Sequence, residues 1–224
     1  MFKIKIVQEN PTVGDISGNI KKIQKEIKKA SLNDVDLLVF SEMFVSGYPP
    51  EDLVMRADFL YKIEKSIIKL PLESQKISLL FGAPSQNLGK TYNSAFFIEG
   101  GKIKEVYSKQ MLPNYKEFDE RRYFSSGERN SIINIKGIKI GLSICEDIWS
   151  DDFTKKLVND GAELIINMSA SPYTKTKKKT REKMLLDYFD KYKTPIIYLN
   201  QVGGQDELVF DGSSLVIGSD QEKL

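Results

Sequence analysis

Two patterns of hydrophobic positions alternate along the chain. Short, nearly continuous apolar runs are typical of β-strands in a sheet that is covered on both faces. Between them lie segments whose apolar residues recur every three or four positions, as on one face of a helix. The predicted strands are residues 3–7, 36–40, 77–83, 94–98, 139–144, 163–168 and 195–200.

The amphipathic segments predict four helices. One contains Ile16, Ile20, Ile23, Ile27 and Ala30, and the others cover residues 53–67, 151–160 and 184–192. Gly161 follows the third helix, where a glycine suits a helix end. Because strands and helices alternate, the sequence predicts an α/β layered fold. No repeat or linker interrupts the pattern, so we expect one domain over residues 1–224, with a further strand beginning in the tail from Gly212.

Composition limits the partners and the cellular compartment that we expect for this protein. The chain has 33 basic and 31 acidic residues, so its net charge of +2 gives no reason to expect a nucleic-acid partner. No apolar run approaches the roughly 20 residues of a membrane span, and the first residues alternate like a strand rather than a signal peptide. The single cysteine cannot form an internal disulfide, which fits the reducing cytoplasm. We therefore expect a cytoplasmic protein without a membrane partner.

The absence of histidine excludes several kinds of chemistry. Ser-His-Asp hydrolysis, Cys-His proteolysis and HExxH zinc catalysis all require an imidazole. With one cysteine and no histidine, we also expect no metal site of the zinc or copper type. Acid–base catalysis would have to come from Glu, Asp, Lys or Tyr.

Polar residues follow several predicted strands directly. Glu42, Lys109, Cys145 and Ser171 each come just after an apolar or strand-like run. In α/β sheets, sites form beyond the carboxyl ends of the strands, so these side chains are candidates for one pocket.

Each of these residues also has an ordinary structural interpretation. Glu42 and Lys109 could form a solvated ion pair, and Cys145 could be an inert buried thiol. Together, however, they supply complementary roles. A glutamate can accept the thiol proton, and a nearby ammonium favours the thiolate and stabilises an oxyanion on a substrate carbonyl. The combination predicts acyl transfer through a thioester without histidine. The basic run at residues 175–183 is interpreted as the solvated start of a helix.

Six ordered motifs carry a family resemblance. The segments are QENPTVGD at 8–15, SEMFVSGYPPEDL at 41–53, KQMLPNYKEFDERRYFSSG at 109–127, ICEDIW at 144–149, NMSASPY at 167–173 and LNQVGGQDELVFDGSS at 199–214. They resemble the nitrilase (carbon–nitrogen hydrolase) superfamily, and within it the glutaminase domain of glutamine-dependent NAD⁺ synthetases. The resemblance covers essentially the whole chain.

The resemblance implies a four-layer αββα sandwich that hydrolyses the side-chain amide of L-glutamine. Carried over by position, Glu42 is the general base, Lys109 the electrostatic stabiliser and Cys145 the nucleophile. The implied substrate-binding residues are Tyr115, Ser171, Lys177 and Glu146, the last as a partner of the substrate ammonium. A second carboxylate beside the lysine is also implied, with Glu120 preferred over Glu117, although either could be a surface glutamate. Because Lys177 matches a binding position, we expect only the other basic residues of the run at 175–183 to be solvated. Thr176 stands where the family usually has glycine, so we expect a differently shaped loop there.

The resemblance also implies partners and cofactors outside this chain. The glutaminase step needs no cofactor, whereas ATP and Mg²⁺ serve a synthetase domain whose SGGxDS motif does not occur in this sequence. We therefore expect a glutaminase domain that lacks the C-terminal end of its sandwich, acts with a synthetase domain or subunit, and forms homo-oligomers. Two alternatives stay open: a stand-alone hydrolase of another amide, and an inactive or regulatory module that binds a synthetase subunit.

Overall fold

Two five-stranded sheets form the centre of the molecule. The structure is a computed structural model that describes residues 1–218. The first sheet has the order β1 (Ile4–Ile6), β2 (Leu37–Val39), β3 (Ser78–Asn87), β4 (Lys90–Glu99) and β5 (Lys102–Ser108). The second has the order β12 (Leu215–Ile217), β9 (Ile196–Asn200), β8 (Leu164–Ser169), β7 (Ile138–Ile144) and β6 (Ile132–Ile135). A separate hairpin joins β10 (Val202–Gln205) to β11 (Leu208–Asp211).

Each sheet contains three parallel strands joined by helices. In the first sheet, β1, β2 and β3 are parallel and are connected through α1 (Ile16–Ser31) and α2 (Ala57–Ile67). In the second, β7, β8 and β9 are parallel and are connected through α5 (Asp151–Asn159) and α6 (Lys177–Tyr192). Two further one-turn helices are α3 (Leu70–Glu73) and α4 (Glu120–Tyr123). Short 3₁₀ helices cover Glu51–Met55 and Cys145–Trp149.

The alternation of side chains along β2 shows how the layers are built. Leu38 packs into the cluster that contains the buried face of α1, whereas Leu37 and Val39 pack into the cluster that contains the second sheet. Successive strand residues point to opposite faces, so β2 is buried on both sides. Phe153 and Leu185 of α5 and α6 belong to the cluster of the second sheet. The order of layers is therefore helix, sheet, sheet, helix, which confirms the expected αββα sandwich.

All seven predicted strands are present, and so is the strand after Gly212, which is β12. The helix predicted over residues 53–67 is wrong at its start, because Arg56 adopts an extended backbone between the 3₁₀ turn and α2. The side chain of Arg56 donates to Asp58 in the first turn of α2. Gly161 has a φ of +96° and follows Asp160, the C-cap of α5, as expected for a glycine at a helix end. No helix within residues 1–218 combines the length and apolarity needed to cross a bilayer.

Sequence reasoning missed β6 and the β10–β11 hairpin. Strand β6 is four residues long with an exposed Asn134, and β10 is VGGQ, so neither has a clear hydrophobic period. The solvated interpretation of residues 175–183 is right for the exposed Lys175, Lys178 and Lys179 but wrong for Arg181. That side chain is buried and donates two hydrogen bonds to Asp211 at 2.7 and 2.8 Å. A buried guanidinium needs such a partner.

Candidate active site

The candidate residues lie at the carboxyl ends of strands, as predicted. Lys109 follows β5 directly and Cys145 follows β7 directly. Glu42 lies three residues beyond the end of β2, and Ser171 lies two residues beyond β8. The Ala170 backbone N–H donates to Glu42 Oε2 at 2.8 Å, so the two sheets are joined at this edge.

A glycine allows the Glu42 segment to approach the sheet. A Cβ on Gly82 of β3 would lie 2.3 Å from Met43 N and 2.6 Å from Ser41 O. Gly82 N donates to Ser41 O, and Val45 N donates to Gly82 O. A side chain at this position would therefore push the Glu42 segment off β3.

Glu42, Lys109 and Glu120 form a buried charge cluster. Lys109 Nζ donates to Glu42 Oε1 at 2.7 Å and to Glu120 Oε1 at 2.8 Å. Asn93 Nδ2 also donates to Glu42 Oε1 at 2.7 Å, and Tyr48 OH donates to Glu120 Oε1 at 2.9 Å. The side chains of Glu42 and Lys109 are both 0% exposed, which contradicts the solvated ion pair. Glu120 rather than the exposed Glu117 contacts the lysine.

Burial and the presence of two carboxylates beside one ammonium shift the pKa values of this cluster. Burial would lower the pKa of Lys109, but the charges of Glu120 and Glu42 outweigh it and raise that pKa well above its ordinary value. Burial raises the pKa of Glu120 to about 7 against the opposing charge of Lys109. Lys109 is therefore a permanent cation, whereas Glu120 exchanges a proton near neutral pH.

The stability of the fold should reflect this raised pKa of Glu120. A carboxyl whose folded pKa lies above its unfolded value stabilises the fold below the unfolded pKa, and that contribution is lost as pH rises through the folded pKa. Between pH 4.5, the unperturbed value, and about 7, the protein should lose at most about 3 kcal/mol from this group. Glu120→Gln should flatten the curve of unfolding free energy against pH in this window, measured by denaturant titration. Glu117→Gln, at an exposed neighbour, should leave the slope unchanged, and an unaltered slope in Glu120→Gln would refute the assignment.

Cys145 occupies a strained turn between β7 and the 3₁₀ helix. Its φ is +43°, a left-handed conformation that costs a non-glycine residue about 1–2 kcal/mol. Its side chain is buried, and burial followed by the charge of Glu42 raises the pKa of the thiol well above its ordinary value, with Lys109 opposing. The thiol is therefore protonated at neutral pH and needs a base at the moment it reacts.

Three of the four candidate binding residues lie at the 3₁₀ helix Cys145–Trp149, which contains Glu146 itself, and the fourth, Ser171, contacts Asn200. Tyr115 OH donates to both carboxylate oxygens of Glu146 at 3.0 Å, and burial followed by the Glu146 charge raises the pKa of Tyr115. Lys177 Nζ lies 4.3 Å from the centroid of the Trp149 ring. Ser171 is buried and its backbone N–H donates to Asn200 Oδ1 at 2.8 Å.

The residue before Lys177 has an ordinary backbone. Thr176 has a φ of −110° at the start of α6. A non-glycine residue adopts this conformation without strain, so the threonine is compatible with the loop that presents Lys177.

Three residues of the site were missed from the sequence. Asn93 donates to Glu42 as described above. Asn167 donates to Ser143 Oγ at 2.8 Å and, more weakly, to Cys145 O at 3.4 Å. Asp147 accepts hydrogen bonds from the segments of both Lys109 and Cys145. Asn93 and Asn167 lie inside strands, and Asp147 lies in the 3₁₀ helix two residues after Cys145, so no local pattern marks them as parts of the site. Within residues 1–218 no group of three or more His, Cys, Asp or Glu side chains is arranged to hold a metal ion.

The fold and the matching sequence model define the class of this protein. The sequence model of the carbon-nitrogen hydrolase family matches residues 3–222, and the chain belongs to this family. Among curated relatives it is 39% identical to the glutamine-dependent NAD(+) synthetase of Acinetobacter baylyi and 41% identical to that of Thermotoga maritima. These alignments cover 99% and 100% of the chain but only 41% and 39% of the relatives, so the chain spans about two fifths of their length.

Solved structures give the same result. The glutamine-dependent NAD⁺ synthetase of Acinetobacter baumannii superposes with a TM-score of 0.94 at 38% identity, over 99% of this chain and 42% of that one. An amidase from Nesterenkonia sp. superposes with a TM-score of 0.87 at 21% identity, over 100% of this chain and 84% of that one. At this lower identity the amidase supports the fold alone.

Proposed function

We propose that this chain hydrolyses the side-chain amide of L-glutamine through a thioester on Cys145. The released ammonia would serve a synthetase domain or subunit that converts deamido-NAD⁺ to NAD⁺ with ATP and Mg²⁺. The observation that carries the proposal is the buried Glu42–Lys109–Glu120 cluster, whose charges act on the thiol of the strained Cys145. The substrate is inferred from the similarity of the whole chain to glutamine-dependent NAD⁺ synthetases.

The first half of the reaction forms the thioester. Glu42 accepts the thiol proton while Cys145 Sγ attacks the amide carbonyl, and the Lys109 ammonium stabilises the oxyanion. Glu42 then returns the proton to the nitrogen as the C–N bond breaks and ammonia leaves. General-base help is needed because burial keeps the thiol protonated at neutral pH.

The second half regenerates the enzyme. Glu42 takes a proton from water, whose oxygen attacks the thioester carbonyl. The C–S bond breaks, the thiolate recovers the proton from Glu42, and glutamate leaves. This half-reaction and the first use the same three side chains and no cofactor.

The charges near the turn suit the two ends of free glutamine. Glu146, which already accepts from Tyr115, would hold the α-ammonium group. Lys177 would hold the α-carboxylate together with Ser171. The proposed unit is a glutaminase domain formed by residues 1–224 that assembles into homo-oligomers with its synthetase partner.

Two measurements on the unaltered protein test the proposal. Purified protein should release ammonia from L-glutamine but not from simple aliphatic amides. A diazo-ketone analogue of glutamine should add once, at Cys145, and excess glutamine should prevent the adduct in an intact-mass spectrum. Faster turnover of other amides would favour the stand-alone amidase, and a folded protein with no adduct and no turnover would favour the inactive or regulatory module.

A further inference from the structure

Asp147 is a buried carboxylate with an unusual set of partners. Its side chain is 0% exposed and accepts four hydrogen bonds, all from neutral donors. Oδ1 accepts from Gln110 N at 3.0 Å and from Met111 N at 2.8 Å. Oδ2 accepts from Tyr107 OH at 2.7 Å and from Ile144 N at 3.0 Å. Burial raises the pKa of Asp147 to about 6, and these donors oppose that rise.

The four donors belong to the two segments that carry the reacting groups. Tyr107, Gln110 and Met111 lie on either side of Lys109, at the end of β5 in the first sheet. Ile144 is the last residue of β7 in the second sheet and directly precedes Cys145. One carboxylate thus joins the lysine segment of one sheet to the cysteine segment of the other.

The same carboxylate also closes the turn around the nucleophile. The bond from Ile144 N to Asp147 Oδ2 spans Cys145, whose φ is +43°. A strained conformation persists only when surrounding contacts hold it. Asp147 supplies such a contact within the turn and fastens the turn to the lysine segment.

An amide could not reproduce these contacts. A carboxylate presents two acceptor oxygens with about four lone-pair sites, which is what four donors need. Asparagine offers one acceptor oxygen and two N–H groups, so at least one backbone N–H would face another donor.

We propose that Asp147 is a positioning residue that fixes the Cys145 thiol relative to the Lys109 ammonium. The role is assigned within the glutamine hydrolysis proposed above and rests on it. Asp147 acts through its neighbours: its bonds place the lysine segment and the cysteine turn in one arrangement. Loss of these bonds should weaken the reaction of the thiol before it weakens substrate capture.

Asp147→Asn is the first variant to measure. Because a misplacement of about 1 Å can cost roughly 100-fold in rate, kcat for glutamine should fall about 100-fold while KM changes much less. Alkylation of Cys145 by iodoacetamide should also slow, and its rise with pH should move upward, because a more distant ammonium favours the thiolate less. Loss of the Asp147 charge would by itself move that rise downward, so an upward movement reports the displaced ammonium. The other charged and titratable groups that act on this thiol are Glu42, Lys109, Glu120, Glu146, Tyr48, Tyr115 and Tyr198.

A milder variant keeps the test decisive if Asp147→Asn does not fold. Tyr107→Phe removes one neutral donor and leaves the three backbone bonds, so it should lower kcat about 5-fold with the same direction of change in alkylation. Glu26→Gln is the control, because it also changes a buried carboxylate to an amide. Glu26 lies on α1 and pairs with Lys5 of β1 and with Lys29. This control should lower the unfolding free energy without changing the alkylation profile.

The outcomes separate this proposal from the proposed function. A folded Asp147→Asn protein with the alkylation profile of the unaltered protein and an unchanged kcat would overturn the positioning role. If Asp147→Asn does not fold, the same result for Tyr107→Phe would do so. If the unaltered protein releases no ammonia from glutamine but Asp147→Asn still shifts the alkylation profile, the proposed function fails while the positioning role stands.

Discussion

Lys109→Met should lower the free energy of unfolding at pH 7 by about 3–5 kcal/mol, because it leaves buried carboxylates without their counter-charge. Methionine fills a similar volume, so the loss should come from charge rather than from a cavity. In the folded protein Lys109 Nζ lies 2.7 Å from Glu42 and 2.8 Å from Glu120. Glutamine hydrolysis should fall at least about 1,000-fold in the same variant, because the oxyanion and the thiolate lose the cation that stabilises them.

The pH dependence of this loss has a definite sign. The pKa of Glu120 is about 7 even with the lysine present, and removal of the ammonium should raise it further. A group with a raised folded pKa stabilises the fold below its unfolded pKa and loses that effect as pH rises. The difference in stability between Lys109→Met and the unaltered protein should therefore shrink as pH falls from 7 toward 4.5, the unperturbed value.

Lys5→Met is the matched control for charge removal. Lys5 pairs with Glu26 at 2.6 Å, but its side chain is 33% exposed, so its loss should cost no more than about 1 kcal/mol. Denaturant titrations of both variants from pH 4.5 to 7.5 would make the comparison. If Lys109→Met were as stable at pH 7 as Lys5→Met, the buried cluster would not carry the charges assigned to it.

Local patterns were sufficient for the α/β class and for the edge at which polar residues gather, whereas the four-layer order was implied by the family resemblance. Apolar runs that are buried on both faces predicted the strands, and the strand ends predicted that Glu42, Lys109 and Cys145 would lie at one edge. This part of the fold depends on local patterns, which a single sequence contains. The break at Arg56 was missed because a helical period continues across it from Leu53 to Ala57.

The remaining parts of the site depend on contacts between distant segments. Asn93 reaches Glu42 across 51 positions of the sequence, and Asp147 reaches Met111 across 36. Nothing in the neighbouring residues distinguishes these polar side chains from surface ones. Arg181 is the same case in a helix, since its burial depends on Asp211 of the hairpin. The hydrophobic pattern of one segment could not predict which hydrogen-bond partner a distant segment would supply.

Cys145→Ala should reduce glutamine hydrolysis to the rate of buffer alone, the largest effect expected at this site. No other cysteine occurs in the chain, so no second thiol can form the thioester. The rate of glutamine hydrolysis by Cys145→Ser should be at least about 1,000-fold lower, because an alcohol gives up its proton far less readily than a thiol does. Neither change removes Tyr115, Glu146 or Lys177, and glutamine binding by calorimetry should therefore stay within about threefold.

A control in the same sheet guards against a loss caused by misfolding. Ser131 is buried just before β6, and Ser131→Ala should keep the turnover of the unaltered protein. Ammonia release by the three variants, with thermal unfolding to confirm that each is folded, makes the test. If Cys145→Ala retained more than about a tenth of the turnover, the thioester could not be on the main route and the nucleophile assignment would be wrong. If turnover vanished while glutamine still bound, glutamine binding would be independent of the thiol, and Cys145 would be required for the chemical step.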